Sequence, residues 1–184
     1  MQSFHAKGYA ATTVADIVAG TRYSPGAFYH HFENKDDCFW HVIAFRERLR
    51  GDWSMLAVEF DPAVTSLNQL LERAFAHFAA ALVGVTDWIL VMVEFRQQHR
   101  GEPEVLAKVA ETYQRWRDET ARFVDALHVN GWIEPPRDRA VLAEQVFAYT
   151  EGFTVHAAMY GPSENPRVTQ RALIGGLVSL LRNA

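Results

Sequence analysis

The stretch that decides the fold is Ser24-Pro25-Gly26-Ala27-Phe28-Tyr29-His30-His31-Phe32-Glu33-Asn34-Lys35. Serine is a favoured helix cap, and proline suits the first helical position, where its missing N–H has no partner to lose. A short helix is therefore expected to start here, with Phe28 and Phe32 on its apolar face. Asn34 can cap the next helix, with Asp36 and Asp37 at its positive end and Phe39, Val42, Ile43 and Leu49 facing inward. Upstream, Thr12 or Thr13 can cap another short helix, whose inward residues would be Val14, Ile17 and Val18. A first helix finishes over Phe4 to Ala6 and is ended by Gly8. Two short helices with a four- or five-residue turn between them read as a helix-turn-helix.

Helical spacing continues to the end of the chain, and no strand-like alternation of any length interrupts it. Leu67, Leu70, Leu71, Ala74, Phe75, Phe78 and Leu82 recur at three and four residues, which predicts a helix near 65–84. Asp87 is expected to cap the next, with Trp88, Met92 and Phe95 on one face and Gly101-Glu102-Pro103 as its end. Pro103 opens a long helix through Leu106, Val109, Tyr113, Trp116, Thr120, Phe123 and Leu127, stopped by Asn130-Gly131 because both residues tolerate positive φ. Pro135-Pro136 marks a linker. A helix from about 138 to 160 follows, then a break at Gly161-Pro162-Ser163 and a last helix over 166–182. The fold class is all-α: a three-helix helix-turn-helix head over 1–50, its first helix short, and a helical body over 51–184.

Composition bounds the function. The chain has 184 residues, of which 49% are hydrophobic, enough to bury a core and to exclude a disordered protein. No apolar run reaches the roughly 20 residues of a membrane span, and Met1-Gln2-Ser3-Phe4-His5 lacks the regions of a signal peptide. The lone Cys38 cannot form an internal disulfide, so a cytoplasmic location is expected. The net charge of −4 is uneven. Residues 1–51 hold six Lys and Arg against five Asp and Glu, while the rest holds 12 against 17. Any nucleic-acid contact therefore belongs to the first part.

Two segments resemble the opening of the TetR family of bacterial transcription regulators. One runs Phe4-His5-Ala6-Lys7-Gly8-Tyr9-Ala10-Ala11-Thr12-Thr13-Val14-Ala15-Asp16-Ile17; the other is the Ser24–Lys35 stretch, the part holding that family's recognition helix. The resemblance implies a major-groove helix entering DNA N-terminus first. Thr13, at a helix start, would meet a phosphate through its hydroxyl or amide. Gly26 leaves room for close backbone approach. Tyr29 matches the family tyrosine that touches the DNA backbone, and Lys35 would clamp a phosphate. Base reading would fall to Tyr23, Pro25, Ala27 and His30, with Ser24 beside them and Arg22 adding a contact from the turn. The helix has no Arg, Asn or Gln for bidentate reading of guanine or adenine. Arg22 stands where the family usually has glycine, and Gly20 is expected to take over the turning. A segment upstream of Met1 is also expected, since the family has a longer first helix and a basic arm.

In the family the later helices enclose a small-molecule pocket, and the last two pair across a two-fold axis. Here the pairing stripes would be Val141, Leu142, Gln145, Val146, Tyr149 and Phe153, then Ile174, Leu177, Val178 and Leu181, with Gly175-Gly176 allowing close approach. The expected partners are thus a double-stranded DNA operator, a second copy of the chain and an apolar effector. Candidate effector contacts are Phe75, Phe78, Trp88, Met92, Phe95, Tyr113, Trp116, Thr120, Phe123, Phe147 and Thr150. Gln98, His77, His99, Thr150 and His156 are candidate polar handles, and few charges are expected on the inward faces.

No cofactor, metal or catalytic site is expected. His30 and His31 are adjacent and diverge on a helix, so they cannot share a metal. No Gly-rich phosphate loop or paired-histidine metal motif occurs. Cys38, with His41 three residues on, is open to reading as a thiol sensor. The alternative to a regulator is a helical small-molecule-binding protein whose head no longer binds DNA.

Overall fold

The structure is a computed structural model and describes residues 2–81, 85–160 and 166–183. Those residues form α1 (Gln2–Lys7), α2 (Val14–Val18), α3 (Pro25–Phe28), α4 (Lys35–Arg50), α5 (Leu56–Glu59), α6 (Leu67–Ala81), α7 (Val85–Gln98), α8 (Pro103–Val129), α9 (Arg139–Tyr160) and α10 (Pro166–Arg182). A 3-10 turn, Trp53–Met55, precedes α5. No strand occurs among the described residues, and none of their helices is long and apolar enough to cross a membrane. The chain is all-α, as the periodicity implies.

Local chemistry explains most of the boundaries. Ser24 caps α3 by accepting the Ala27 N–H, with Pro25 at the first position. Asn34 caps α4 through the Asp37 N–H at 2.9 Å. Of the two threonines, Thr13 is the cap of α2, while Thr12 is buried and donates to the Gly8 carbonyl at 2.5 Å. Gly20 adopts φ +75° just past α2 and makes the turn, so Arg22 need not enter the left-handed region. Pro103 opens α8, and Gly131, not Asn130, takes the positive φ behind it. Two expectations fail here. Asp87 lies inside the first turn of α7, which starts at Val85. Leu49 is 43% exposed, and the buried position on that turn of α4 is Arg46. The short elements over 53–59 carry no helical periodicity and escape the sequence. Trp132 holds them from a distance, donating its indole N–H to the Ala57 carbonyl at 2.8 Å. The Gly161–Ser163 break lies outside the described residues.

Two cores result. One joins α5, α6, α8, α9 and α10 around Leu70, Phe123, Leu127, Leu142 and Ile174. The other is shared between the N-terminal helices and the body: Phe4, Tyr9, Phe28, Phe39 and Ile43 pack with Trp88, Met92 and Phe95 of α7 and Val109 of α8. Phe39 stacks on Phe95 at 4.4 Å, and Tyr9 meets the Phe95 edge at 4.8 Å. Helix α4 is therefore anchored at its start to the head and to α7 together.

In α10, Ile174 and Leu181 belong to this chain's own core, with Leu177 and Val178 packed against it. The large apolar side chains that remain exposed on the last two helices are Val141, from the expected stripe, together with Met159 and Val168. Of the two glycines, Gly176 is the close-approach site, since a Cβ there would collide with the Tyr149 hydroxyl, whereas Gly175 faces open space. The reason is steric: Tyr149 of α9 crosses α10 at that point and donates to the Ala172 carbonyl at 3.1 Å.

Candidate nucleic-acid interface and effector cavity

The turn before α3 is pinned by Thr21, which the sequence reading overlooked. Its hydroxyl donates to the Val18 carbonyl at 2.7 Å and accepts the Tyr23 N–H at 3.1 Å. Hydroxyl-closed turns of this kind are a local signal of threonine after a helix end. Beyond it, Arg22, Tyr23, Ser24, Pro25 and Gly26 form a continuous exposed run, and Tyr29 and His30 are exposed again after half-buried Ala27 and buried Phe28. Tyr29 is 59% exposed, with its ring edge on Phe28. The Arg22 guanidinium lies 5.6 Å from the Tyr23 ring centre. The helix itself is one turn long, so His30 follows its end rather than standing within it.

Thr13 and Lys35 are less available than expected. The Thr13 N–H and hydroxyl both donate to one Asp16 carboxylate oxygen, at 2.9 and 2.7 Å. Asp16 also takes Lys7 at 2.5 Å. The hydrogen bonds from Lys7 and then Thr13 hold this carboxyl well below the usual carboxylate range. The anion at this helix start is thus supplied by the chain itself. Lys35 donates to the Tyr9 carbonyl at 3.0 Å and lies 4.2 Å from the Tyr9 ring centre.

Around Tyr9 a polar junction joins head to body. Its N–H donates to Glu94 at 2.7 Å, and its hydroxyl donates to Asp36. Burial, reinforced by Asp36, pushes the Tyr9 phenol far up. Asp36 also meets His99 Nε2 at 2.9 Å, and His99 Nδ1 meets the Phe95 carbonyl at 2.8 Å. Gly8, at φ +77°, has no room for a Cβ, which would collide with Glu94 Oε2. Cys38 is buried, and burial pushes its thiol up, which disfavours a reactive thiolate. No group of three or more metal-ligating side chains occurs among the described residues.

A partly open cavity of about 270 Å³ lies between α4, α6, α7, α8, α9 and α10. Phe75, Trp88, Met92, Trp116, Thr120, Phe123, Phe147 and Thr150 all line it, as the candidate set has them. Phe95 and Tyr113 do not. Phe95 is fully buried in the head-facing aromatic cluster, and Tyr113 turns toward Trp116 and Phe147 behind the wall. The side chains of His77 and Phe78 lie outside the described residues. His99 belongs to the Tyr9 junction, and Gln98 and His156 are not in the wall.

The wall is more charged than the sequence suggests, because Arg46, Glu47, Glu119 and Glu151 also line it. Glu47 accepts from Trp116 Nε1 at 2.8 Å and from Arg115 at 3.2 Å. Burial raises the Glu151 carboxyl, with Arg117 opposing and Glu144 assisting the shift. The sign is clear: folding favours the protonated acid, so ionised Glu151 costs stability wherever the unfolded chain is ionised. Glu151→Gln is therefore expected to raise the thermal midpoint at neutral pH. The gain should shrink as pH falls toward 4.5, the carboxyl's ordinary value, and vanish below it. Unfolding curves of both proteins across pH test this; a gain that persists in acid contradicts it.

A helix-turn-helix joined to a helical body with a largely apolar cavity is the architecture of a DNA-binding transcription regulator. Residues 1–42 match the model of bacterial regulatory proteins of the tetR family, and residues 67–182 match that of the C-terminal part of BetI-type transcriptional repressors. The chain belongs to the TetR family. Among solved structures it is similar to a TetR-family regulator from Mesorhizobium loti, with TM-score 0.72 and 18% identity, covering 98% of this chain and 90% of that one. It is also similar to the TetR-family regulator PfmR from Thermus thermophilus, with TM-score 0.61 and 18% identity, covering 98% and 93%. No curated protein matched the sequence.

Proposed function

We propose that this regulator is a repressor that binds a palindromic operator as a homodimer and is released by a small, largely apolar effector. The observation that carries the reading is the position of α4. Its first turns, through Phe39, are built into the core that the head shares with the body, while Ile43, Arg46 and Glu47 further along line the cavity. A ligand that shifts α4 at Arg46 thereby shifts the head, and linkage makes the effect reciprocal: bound DNA weakens effector binding by the same factor. Phosphate and base contacts are assigned to Arg22, Tyr23, Ser24, Pro25, Gly26, Ala27, Tyr29 and His30, with Thr13 and Lys35 contributing once their internal partners are exchanged. We further assign residues 1–50 to DNA and 51–184 to sensing and pairing, with Val141, Met159 and Val168 on the pairing face.

The test is fluorescence anisotropy with DNA from upstream of the protein's own gene, across a salt series. Saturable, sequence-dependent binding by a dimer that weakens with salt is expected. The rival reading, a small-molecule-binding protein with a degraded head, draws on the internal engagement of Thr13 and Lys35. Absence of binding both to that DNA and to sequences selected from a random pool would favour it.

A further inference from the structure

We propose that the cavity binds a protonated primary or secondary amine carrying one or two aromatic rings, whose N–H donates to the Glu151 carboxylate. The assignment rests on the effector reading above and specifies its chemistry. Glu151 stands on the cavity face of α9, with Phe147, Thr150 and Thr154 at steps of three and four residues. It is half-buried, yet among the described residues its carboxylate takes neither a hydrogen bond nor an ion pair. A carboxylate drawn out of water is costly to leave unpaired, so one kept on a cavity wall calls for a partner. Burial is the largest influence on its protonation, which is the mark of a candidate binding group in a cleft.

The neighbouring groups do not supply that partner. Arg117 and Glu144 act on Glu151 with opposite signs, and they are bonded to each other at 3.2 Å. Arg115 lies 3.2 Å from Glu47, which also accepts the Trp116 indole N–H. The Arg46 guanidinium lies 4.5 Å from the Trp88 ring centre, and both Arg46 and Glu119 have partners within the chain. Tyr113, beside Glu151, is uncharged near neutrality, because burial pushes its phenol up to about 12. The hydroxyls of Thr150 and Thr154 donate within α9, to the Val146 and Thr150 carbonyls. Arg46, Arg115 and Arg117 thus stand against Glu47, Glu119, Glu144 and Glu151, three against four, and one negative charge is left over. An anionic ligand would add to that charge, and a neutral one would leave it in place. An ammonium offsets it and fills the free lone pairs of Glu151 through a charge-assisted hydrogen bond. A quaternary ammonium has no N–H to give. Phe75, Trp116, Phe123 and Phe147 supply aromatic wall for the cation and for the ligand's own rings. A cavity of about 270 Å³ suits one or two fused rings.

Calorimetry on the full chain, without DNA and near neutral pH, tests the proposal with four probes that share one ring system. They are 2-naphthylmethylammonium, 2-naphthylmethanol, 2-naphthoate and trimethyl(2-naphthylmethyl)ammonium. In the wild type the primary amine is expected to bind about tenfold tighter than the alcohol and than the quaternary ion, with the carboxylate weakest. Glu151→Gln keeps the shape of the side chain and removes its charge. It should bring the amine-to-alcohol ratio close to one, with the alcohol's own affinity held within about threefold. Acid should erase the wild-type advantage too, because Glu151 then holds a proton that the amine has to displace, while the amine stays charged. No amine advantage in the wild type, an undiminished one in the variant or in acid, tighter binding by the carboxylate or the quaternary ion, or binding of none of the probes overturns the proposal. If the variant fails to fold, the acid titration of the wild type decides. An amine that binds through Glu151 but leaves DNA affinity unchanged upholds this chemistry and overturns effector release instead. A neutral or anionic probe that outbinds the amine and releases DNA does the reverse.

Discussion

Replacing Phe39 by alanine is expected to destabilise the whole chain by about 3–5 kcal/mol, the usual cost of truncating a buried aromatic. Phe39 is completely buried, and its ring touches Phe4, Tyr9, Trp40, Trp88 and Phe95. Those partners come from α1, the loop after it, α4 and α7, so the void would open where the head meets the body. Collapse of the site is hindered because Tyr9 is tied by Glu94 and Lys35, and by its hydroxyl to Asp36. The loss should appear as one transition, since the head has no separate core to melt alone. Urea unfolding followed by far-ultraviolet circular dichroism and by tryptophan fluorescence checks both parts. A loss below about 1 kcal/mol, or two separated transitions, would contradict the shared core.

The second large effect is on DNA. Tyr29→Ala combined with His30→Ala is expected to lower operator affinity at least about thirtyfold, since two contacts at roughly 1 kcal/mol each already suffice. Stability should barely change, because both side chains are exposed, Tyr29 with its ring edge on Phe28. Anisotropy at fixed salt, beside thermal unfolding of the same sample, separates the two. Unchanged affinity would remove the α3 end from the interface. Lys35 is the poorer choice for this test. Its ammonium also holds the Tyr9 carbonyl, so its loss would weaken the head and the DNA contact together.

Much of the helix-turn-helix was legible because its determinants are local. The caps Thr13, Ser24 and Asn34 each bond a backbone N–H three residues on. Gly8, Gly20 and Gly131 take the positive φ that the breaks require. The cavity was legible only in part. A helical stripe tells which residues share a face but not which neighbour that face meets. Phe95 shares a stripe with Trp88 and Met92, yet it sits one turn further toward the head and is closed off by Tyr9 and Phe39. The helical stripes lead to an expectation of few inward charges, yet the crossing of α4, α8 and α9 brings Glu47, Glu119 and Glu151 to one wall.

By itself, then, the sequence determined the all-α class, most of the helix boundaries and the family, because capping, helical period and short-range spacing act within a few residues. The tertiary structure alone decided that α10 spends Ile174 and Leu181 on its own core, that Thr13 is occupied by Asp16, and that Trp88 presents an N–H without an acceptor among the described residues. The first and last of these depend on how side chains meet across helices, which packing sets through contacts far apart in the chain, whereas the Thr13–Asp16 contact is a capping box three residues long.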